Sequence, residues 1–331
     1  MDSEHGAFPP GRPPAEAPRS SGAPRHRFTR LQQRASALPP VARGLAWAAA
    51  SGIVFVLLNS TMRVLTLQLD PFQTQFLRYL FGGLVMLPLI LRSGVSAWMP
   101  RQIAPQFKRG LVHTLGLALW FTALPRIPLA DMTAIGFTTP LFIMIGAYLF
   151  LREPMRWERW VAAGIGFAGV LIVVAPKLTG AGGFFTLVMF GSAPIFAASF
   201  LLTKGLTRYE TTGVIVVWQA ISVTLFSLPL ALLHWRAPSA WQWAGFAVCG
   251  GLGSLGHYCV TRSFRVADIS ATQSMKFLDL IWATAMGWLL FSELPTLPTL
   301  IGGAVICGST LWIAHRESRV RAQPVENVES P

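Results

Sequence analysis

Lys276 and Asp279 stand three residues apart inside an otherwise apolar run from 268 to 291. On a helix that spacing puts them on one face as an ion pair, about 12 and 16 Å along the axis from Asp268. A charged side chain at the centre of a bilayer costs roughly 2.5–3.5 kcal/mol on insertion scales, so an ionisable pair at that depth calls for a reason. Two readings stand. Either Lys276 meets an anionic group of a substrate while Asp279 holds the lysine or carries a coupling proton, or the pair locks the ninth apolar span to its neighbours. Gln273 and Ala283 extend the same stripe.

Other polar side chains interrupt apolar runs. Asn59 and Arg63 share one helical face, and Gln75, Arg78 and Tyr79 share another. Both arginines fall within about two helical turns of a span end, where a long side chain reaches water. The two faces together form a polar patch suited to an outer vestibule and to substrate contact. Gln219, His113 and His257 are single polar groups, each suited either to a hydrogen bond between helices or to a ligand. Trp120 and Trp282 are placed to stack on a planar substrate or to pack against lipid.

The chemistry that is missing narrows the function. There is no carboxylate pair, no Ser/His/Asp set and no metal-ligand spacing. Cys249, Cys259 and Cys307 all lie in apolar segments and read as small core residues. Two stretches, 164–169 and 251–256, match G-x-G-x-x-G, but neither follows a strand or opens a βαβ unit, so helix packing explains them. No P-loop occurs. The chain is therefore not read as an enzyme, no cofactor or metal is expected, and transport would draw on an ion gradient or on the substrate gradient. An intramembrane lipid-modifying enzyme, the alternative from another class, would need the acidic or histidine cluster that is absent.

The elements that must position these residues follow from hydropathy. Hydrophobic residues make up 53% of the 331 and charged residues only 12%, against about 25% charged in soluble domains. This is the composition of an integral membrane protein, with the lipid bilayer as a partner. Ten apolar spans are predicted, at about 42–66, 71–91, 109–125, 131–151, 157–175, 183–203, 211–233, 242–262, 268–291 and 297–315. Residues 1–40, with eight prolines and six arginines, are too polar to bury a core and are expected to be a disordered basic tail. The C-terminal 316–331 is expected to be a second disordered tail.

The net charge of +13 is topological. With the N-terminus in the cytoplasm, nearly all lysines and arginines outside the spans fall on the inner side, leaving only Arg126, Lys177 and Arg236 outside. The positive-inside rule thus predicts both termini in the cytoplasm, and nucleic acid is not an expected partner.

The stretch from Asp131 to Ala175 returns in shortened form from Asp268 to Ala314. Each copy is an apolar run, a corner carrying Glu153 or Glu293, then a run with spaced glycines (Gly164 and Gly169; Gly303 and Gly308). The two glutamates read as structural groups that accept from freed backbone amides at the start of the next helix. The glycine faces suit close helix packing, within one protomer or between two in a homodimer. Ten spans in two sets of five place the second copy upside down relative to the first. That predicts an all-α polytopic membrane protein of two inverted five-helix repeats, 41–176 and 183–315.

The run 129–142, continued by Leu149-Phe150-Leu151-Arg152-Glu153 and Gly164 to Gly169, with its second copy through Trp282 to Trp288 and Glu293, resembles the EamA-type repeat of the drug/metabolite transporter superfamily. The resemblance implies ten helices around a central polar cavity and movement of small metabolites across a bacterial inner membrane. Where the second copy of that pattern carries Glu-Pro, this chain has Asp279-Leu280. It keeps a charge there and lacks the proline that would bend the ninth span. The expected function is alternating-access transport of a small polar organic metabolite, with amino-acid-type efflux first and uptake of a planar vitamin such as riboflavin second. An aromatic cavity would favour the vitamin, and one dominated by Lys276 and Asp279 a zwitterion.

Overall fold

Local chemistry sets several of the helix ends. The computed structural model describes residues 39–321 apart from 137, 154–156, 178–182, 293 and 295. The tail up to residue 38, Glu293 and the side chain of Gln273 lie outside the described set. Asp70 caps the second helix by accepting from the amides of Phe72 and Gln73, with Pro71 in the first turn where no amide is needed. Gly94, at φ 84°, ends it. Thr211 caps the helix at the matching place in the second half, accepting from the amide of Val214.

The helices are α1 (Pro40–Thr66), α2 (Pro71–Ser93), α3 (Ile103–Ala123), α4 (Leu129–Gly136), α5 (Thr138–Leu151), α6 (Trp157–Val174), α7 (Gly183–Leu206), α8 (Thr212–Leu233), α9 (Ala240–Val266), α10 (Ile269–Thr272), α11 (Asp279–Phe291) and α12 (Leu297–Arg321). All ten predicted spans are helical, α4 and α5 sharing the fourth. No strand occurs among the described residues. The helices α1, α2, α7 and α8 are long and apolar enough to cross a bilayer by length and composition, and shorter apolar helices supply α5 and parts of α6, α11 and α12.

Two expectations need correction. The ninth span is not one α-helix: a 3-10 segment, Gln273–Leu278, separates α10 from α11, so the backbone tightens just ahead of Asp279 without a proline. The third span begins earlier than expected, at Ile103. Arg109, at the inner edge of the predicted span 109–125, therefore lies well inside α3 and is buried.

The pairing of helices is unchanged when the halves are exchanged. The helix α1 packs on α9 as α3 packs on α7; α2 packs on α9 as α8 packs on α3; α1 packs on α11 as α7 packs on α5; and α2·α8 and α6·α12 map onto themselves. Most of these contacts join one half to the other, so neither half closes a core alone. The crossing of α2 and α9 is tight. A Cβ on Gly250 would lie 2.5 Å from the backbone carbon of Phe81, and at the neighbouring crossing of α1 and α9 one on Gly256 would lie 2.8 Å from the Phe55 ring. In the second G-x-G-x-x-G, Gly253 and Gly256 are thus packing positions, against Arg78 and Phe55, while a Cβ on Gly251 would meet nothing within 4 Å among the described residues. A Cβ on Gly164 or Gly308 would meet nothing within 4 Å among the described residues, and both glycines are exposed.

Polarity is turned inside out. Leu89, Phe150, Leu187, Leu232 and Leu289 are exposed, while Gln73, Gln75, Arg109 and Gln219 are almost fully buried. Apolar surface outside and polar groups inside is the arrangement that lipid requires. The two corners also match: Arg152 (φ 54°) and Ser292 (φ 55°) both take the left-handed conformation at a helix end. Glu153 does accept from a freed backbone amide, but that of Ile269 at the start of α10 (3.2 Å), 116 residues away.

Candidate functional site

A cavity of about 220 Å³ opens between the halves. Its wall takes Phe55 and Asn59 from α1, Arg78 and Tyr79 from α2, and His113 and Trp120 from α3. Ser192, Phe196 and Phe200 come from α7, His257 from α9, and Lys276 and Asp279 from the ninth span. Aromatic side chains form much of the lining.

One charged site in this wall is the expected pair. Lys276 Nζ lies 3.6 Å from Asp279 Oδ2, donates to Ser51 Oγ (3.2 Å), and sits 5.3 Å from the Phe55 ring centroid. Asp279 presses on Gly52, where a Cβ would stand 1.9 Å from Oδ1. Only glycine leaves room for the carboxylate there. The pair thus compensates its own charge and fastens the ninth span to α1.

The second site is a chain of neutral polar groups ordered by a buried arginine. Arg109 donates through Nε to Thr203 Oγ1 (2.5 Å), through Nη1 to the carbonyl of Ile215 (3.1 Å) and through Nη2 to Gln219 Oε1 (2.6 Å). A guanidinium only donates, so Gln219 must present its oxygen to Arg109 and its Nε2 to His257 Nε2, 3.3 Å away. His257 Nε2 is therefore the accepting nitrogen, and the proton of the neutral ring sits on Nδ1. Tyr79 Oη lies 2.9 Å from His113 Nε2 and 3.3 Å from His257 Nε2. Given to the nearer ring, its proton makes His113 Nε2 the acceptor and leaves His113 Nδ1 to donate to Ser199 Oγ at 2.9 Å. Arg109 touches no cavity wall, yet it fixes the donors and acceptors that do.

Arg78 stands apart. It is 5% exposed and lines the cavity, so it does not snorkel to water as expected. Its guanidinium lies 4.0 Å from the Tyr79 ring centroid, and its Nη1 has no hydrogen-bond partner among the described residues.

Of the residues singled out from sequence, the cavity brings together Asn59, Arg78, Trp120, His257, Lys276 and Asp279, with His113. Gln219 stands behind His257. Gln75 is buried away from this wall with neither amide atom partnered among the described residues, Arg63 lies against the Phe291 ring, and Trp282 is exposed on the outer surface. Sequence reading missed Arg109, Gly52, Ser51 and the cluster of Phe55, Phe196 and Phe200. A buried arginine beside Lys108 looks like loop charge, and phenylalanine in a membrane helix carries no signal of its own.

Ten helical spans that present lipid-compatible surface outside and a mixed polar and aromatic cavity inside define a multi-pass membrane protein of transporter type. The chain belongs to the EamA-like transporter family, whose model matches residues 42–175 and again 184–314. It is 29% identical over 293 residues to an S-adenosylmethionine uptake transporter of Rickettsia felis, covering 88% of this chain and 99% of that one. It is 32% identical to a riboflavin transporter of Rhizobium johnstonii, covering 85% of this chain and 94% of that one. A pseudopaline exporter of Pseudomonas aeruginosa is 26% identical over 80% of this chain and 93% of its own length. A solved crystal structure superposes with a TM-score of 0.66 at 19% identity, over 83% of this chain and 99% of that chain, which speaks to the fold alone.

Proposed function

We propose that this protein is a secondary transporter that carries a small polar metabolite bearing a planar heteroaromatic ring across a bacterial inner membrane. The observation that carries the proposal is the cavity, walled by Phe55, Tyr79, Trp120, Phe196 and Phe200 and shared by both halves. Rings on that wall stack with a flat substrate, while Asn59, Ser192 and the charged groups engage its polar edge. A flavin or an adenine nucleoside derivative has this make-up, as do the substrates named for two of the relatives. The aromatic wall moves the ring-bearing substrate ahead of the amino-acid-type metabolite favoured by sequence alone. The relative named as a pseudopaline exporter keeps amino-acid-type efflux as the second reading.

Transport proceeds by alternating access: two inverted five-helix repeats rock about the shared cavity, with both termini in the cytoplasm. Helix pairing that survives exchange of the halves supports this architecture. The substrate gradient or an ion gradient supplies the driving force, with Asp279 and the Tyr79–His113–His257 group as candidate proton carriers. Close packing of exposed Gly164 and Gly308 against a second copy would make a homodimer.

The test is uptake into proteoliposomes under an imposed pH gradient, against flavins, nucleosides, S-adenosylmethionine, amino acids and opine-type metabolites. Saturable movement of a ring-bearing compound is expected. Saturable movement of an aliphatic amino acid, uncompeted by any flavin or adenosyl compound, would overturn the proposal.

A further inference from the structure

Two guanidinium groups lie at the centre of this protein, and among the described residues no carboxylate stands within ion-pair distance of either. Arg109 spends its donors on three neutral acceptors of the protein. Arg78 does not. It is buried, it reaches the cavity, and its Nη1 finds no acceptor among the described residues. The Tyr79 ring covers one face of the guanidinium plane and leaves the fork of N–H groups at its edge. The opposite helix keeps space for it, since a Cβ on Gly253 would come within 2.9 Å of Nη2. Among the described residues the one carboxylate in the cavity wall, Asp279, is held by Lys276 and packed against Gly52. The protein's own groups therefore leave an excess of positive charge in the cavity wall at Arg78.

We infer that Arg78 is an anion-recognition point, and that the transported molecule brings a carboxylate or phosphate to it while its ring lies among the aromatic side chains. The inference rests on the ring-bearing substrate proposed above and adds its charge. A buried cation left unpaired by its own protein is costly, and an anion presented to the arginine fork gains a charge-assisted and commonly bidentate bond. Neutral analogues leave Arg78 unsatisfied, so the site discriminates by charge as well as by shape.

The test uses the purified full-length protein and the quenching of its tryptophan fluorescence, Trp120 being in the wall. Riboflavin is titrated against flavin mononucleotide, and adenosine against adenosine monophosphate. In at least one pair the phosphate-bearing member is expected to bind about tenfold more tightly or better. Arg78→Gln should abolish that preference, and Arg78→Lys should keep part of it. Gly253→Ala, whose methyl group displaces Nη2, should weaken the preference without removing the charge, and it serves if Arg78→Gln does not fold. Equal affinity within both pairs, or a preference that survives both Arg78→Gln and Gly253→Ala, overturns the assignment but leaves the ring-bearing substrate standing. Failure of all four compounds to bind overturns both.

Discussion

Lys276 and Arg78 face the same cavity as cations from different halves, and they are provided for in opposite ways. Lys276 has a carboxylate one turn away, a serine hydroxyl from α1 and an aromatic ring beside it. Arg78 has an aromatic face and an unpartnered Nη1. A compensated pair does not require a ligand charge, and serves to hold the ninth span on α1. An uncompensated guanidinium is a poor structural element and a good reader of an anion. The midplane charge most visible in the sequence is thus the better suited to architecture, and the arginine that looked able to snorkel is the better suited to selection.

If this contrast is right, truncation should act on stability at one site and on binding at the other. Asp279→Leu strands the Lys276 cation and is expected to lower stability by roughly 3 kcal/mol, whereas the double variant Lys276→Met/Asp279→Leu should recover most of the loss. Thermal unfolding in detergent reads both. A double variant no more stable than the single one would break the lock reading. Gly52→Ala should cost about 1–3 kcal/mol, because the new methyl group occupies the place of Asp279 Oδ1. In an Asp279→Ala background the same change should cost far less, and equal costs in the two backgrounds would show that the contact is not the cause. The smallest effect is expected at Arg78→Met, within about 1 kcal/mol for the ligand-free protein, because removing an unpaired cation strands no partner.

Much of the fold was legible in the sequence. Spans separated by charged corners are written in hydropathy, and Asp70-Pro71 announces its helix start as Gly94 announces the stop. The repeat was legible too, down to paired corners whose residues at 152 and 292 share one backbone conformation. Less could be read where a residue's meaning depends on partners far along the chain. Arg109 sits next to Lys108 at the edge of an apolar run, and the groups that satisfy it, Thr203, Ile215 and Gln219, come from α7 and α8. Gly52 is one glycine among 30 until Asp279 is seen against it. The 3-10 turn ahead of Asp279 lacks the glycine or proline that usually marks such a break, so nothing in its sequence QSMKFL announces it.

The most direct test of this division of labour compares transport in proteoliposomes between the native protein, Arg78→Gln and Lys276→Met/Asp279→Leu. The readout is the ratio of uptake of an anionic to a neutral member of one ring-bearing pair. The account predicts that the ratio falls to about one in Arg78→Gln and stays near its native value in the double variant, whatever the change in overall rate. A ratio preserved in Arg78→Gln and lost in the double variant would contradict it, and would return substrate selection to Lys276 and Asp279.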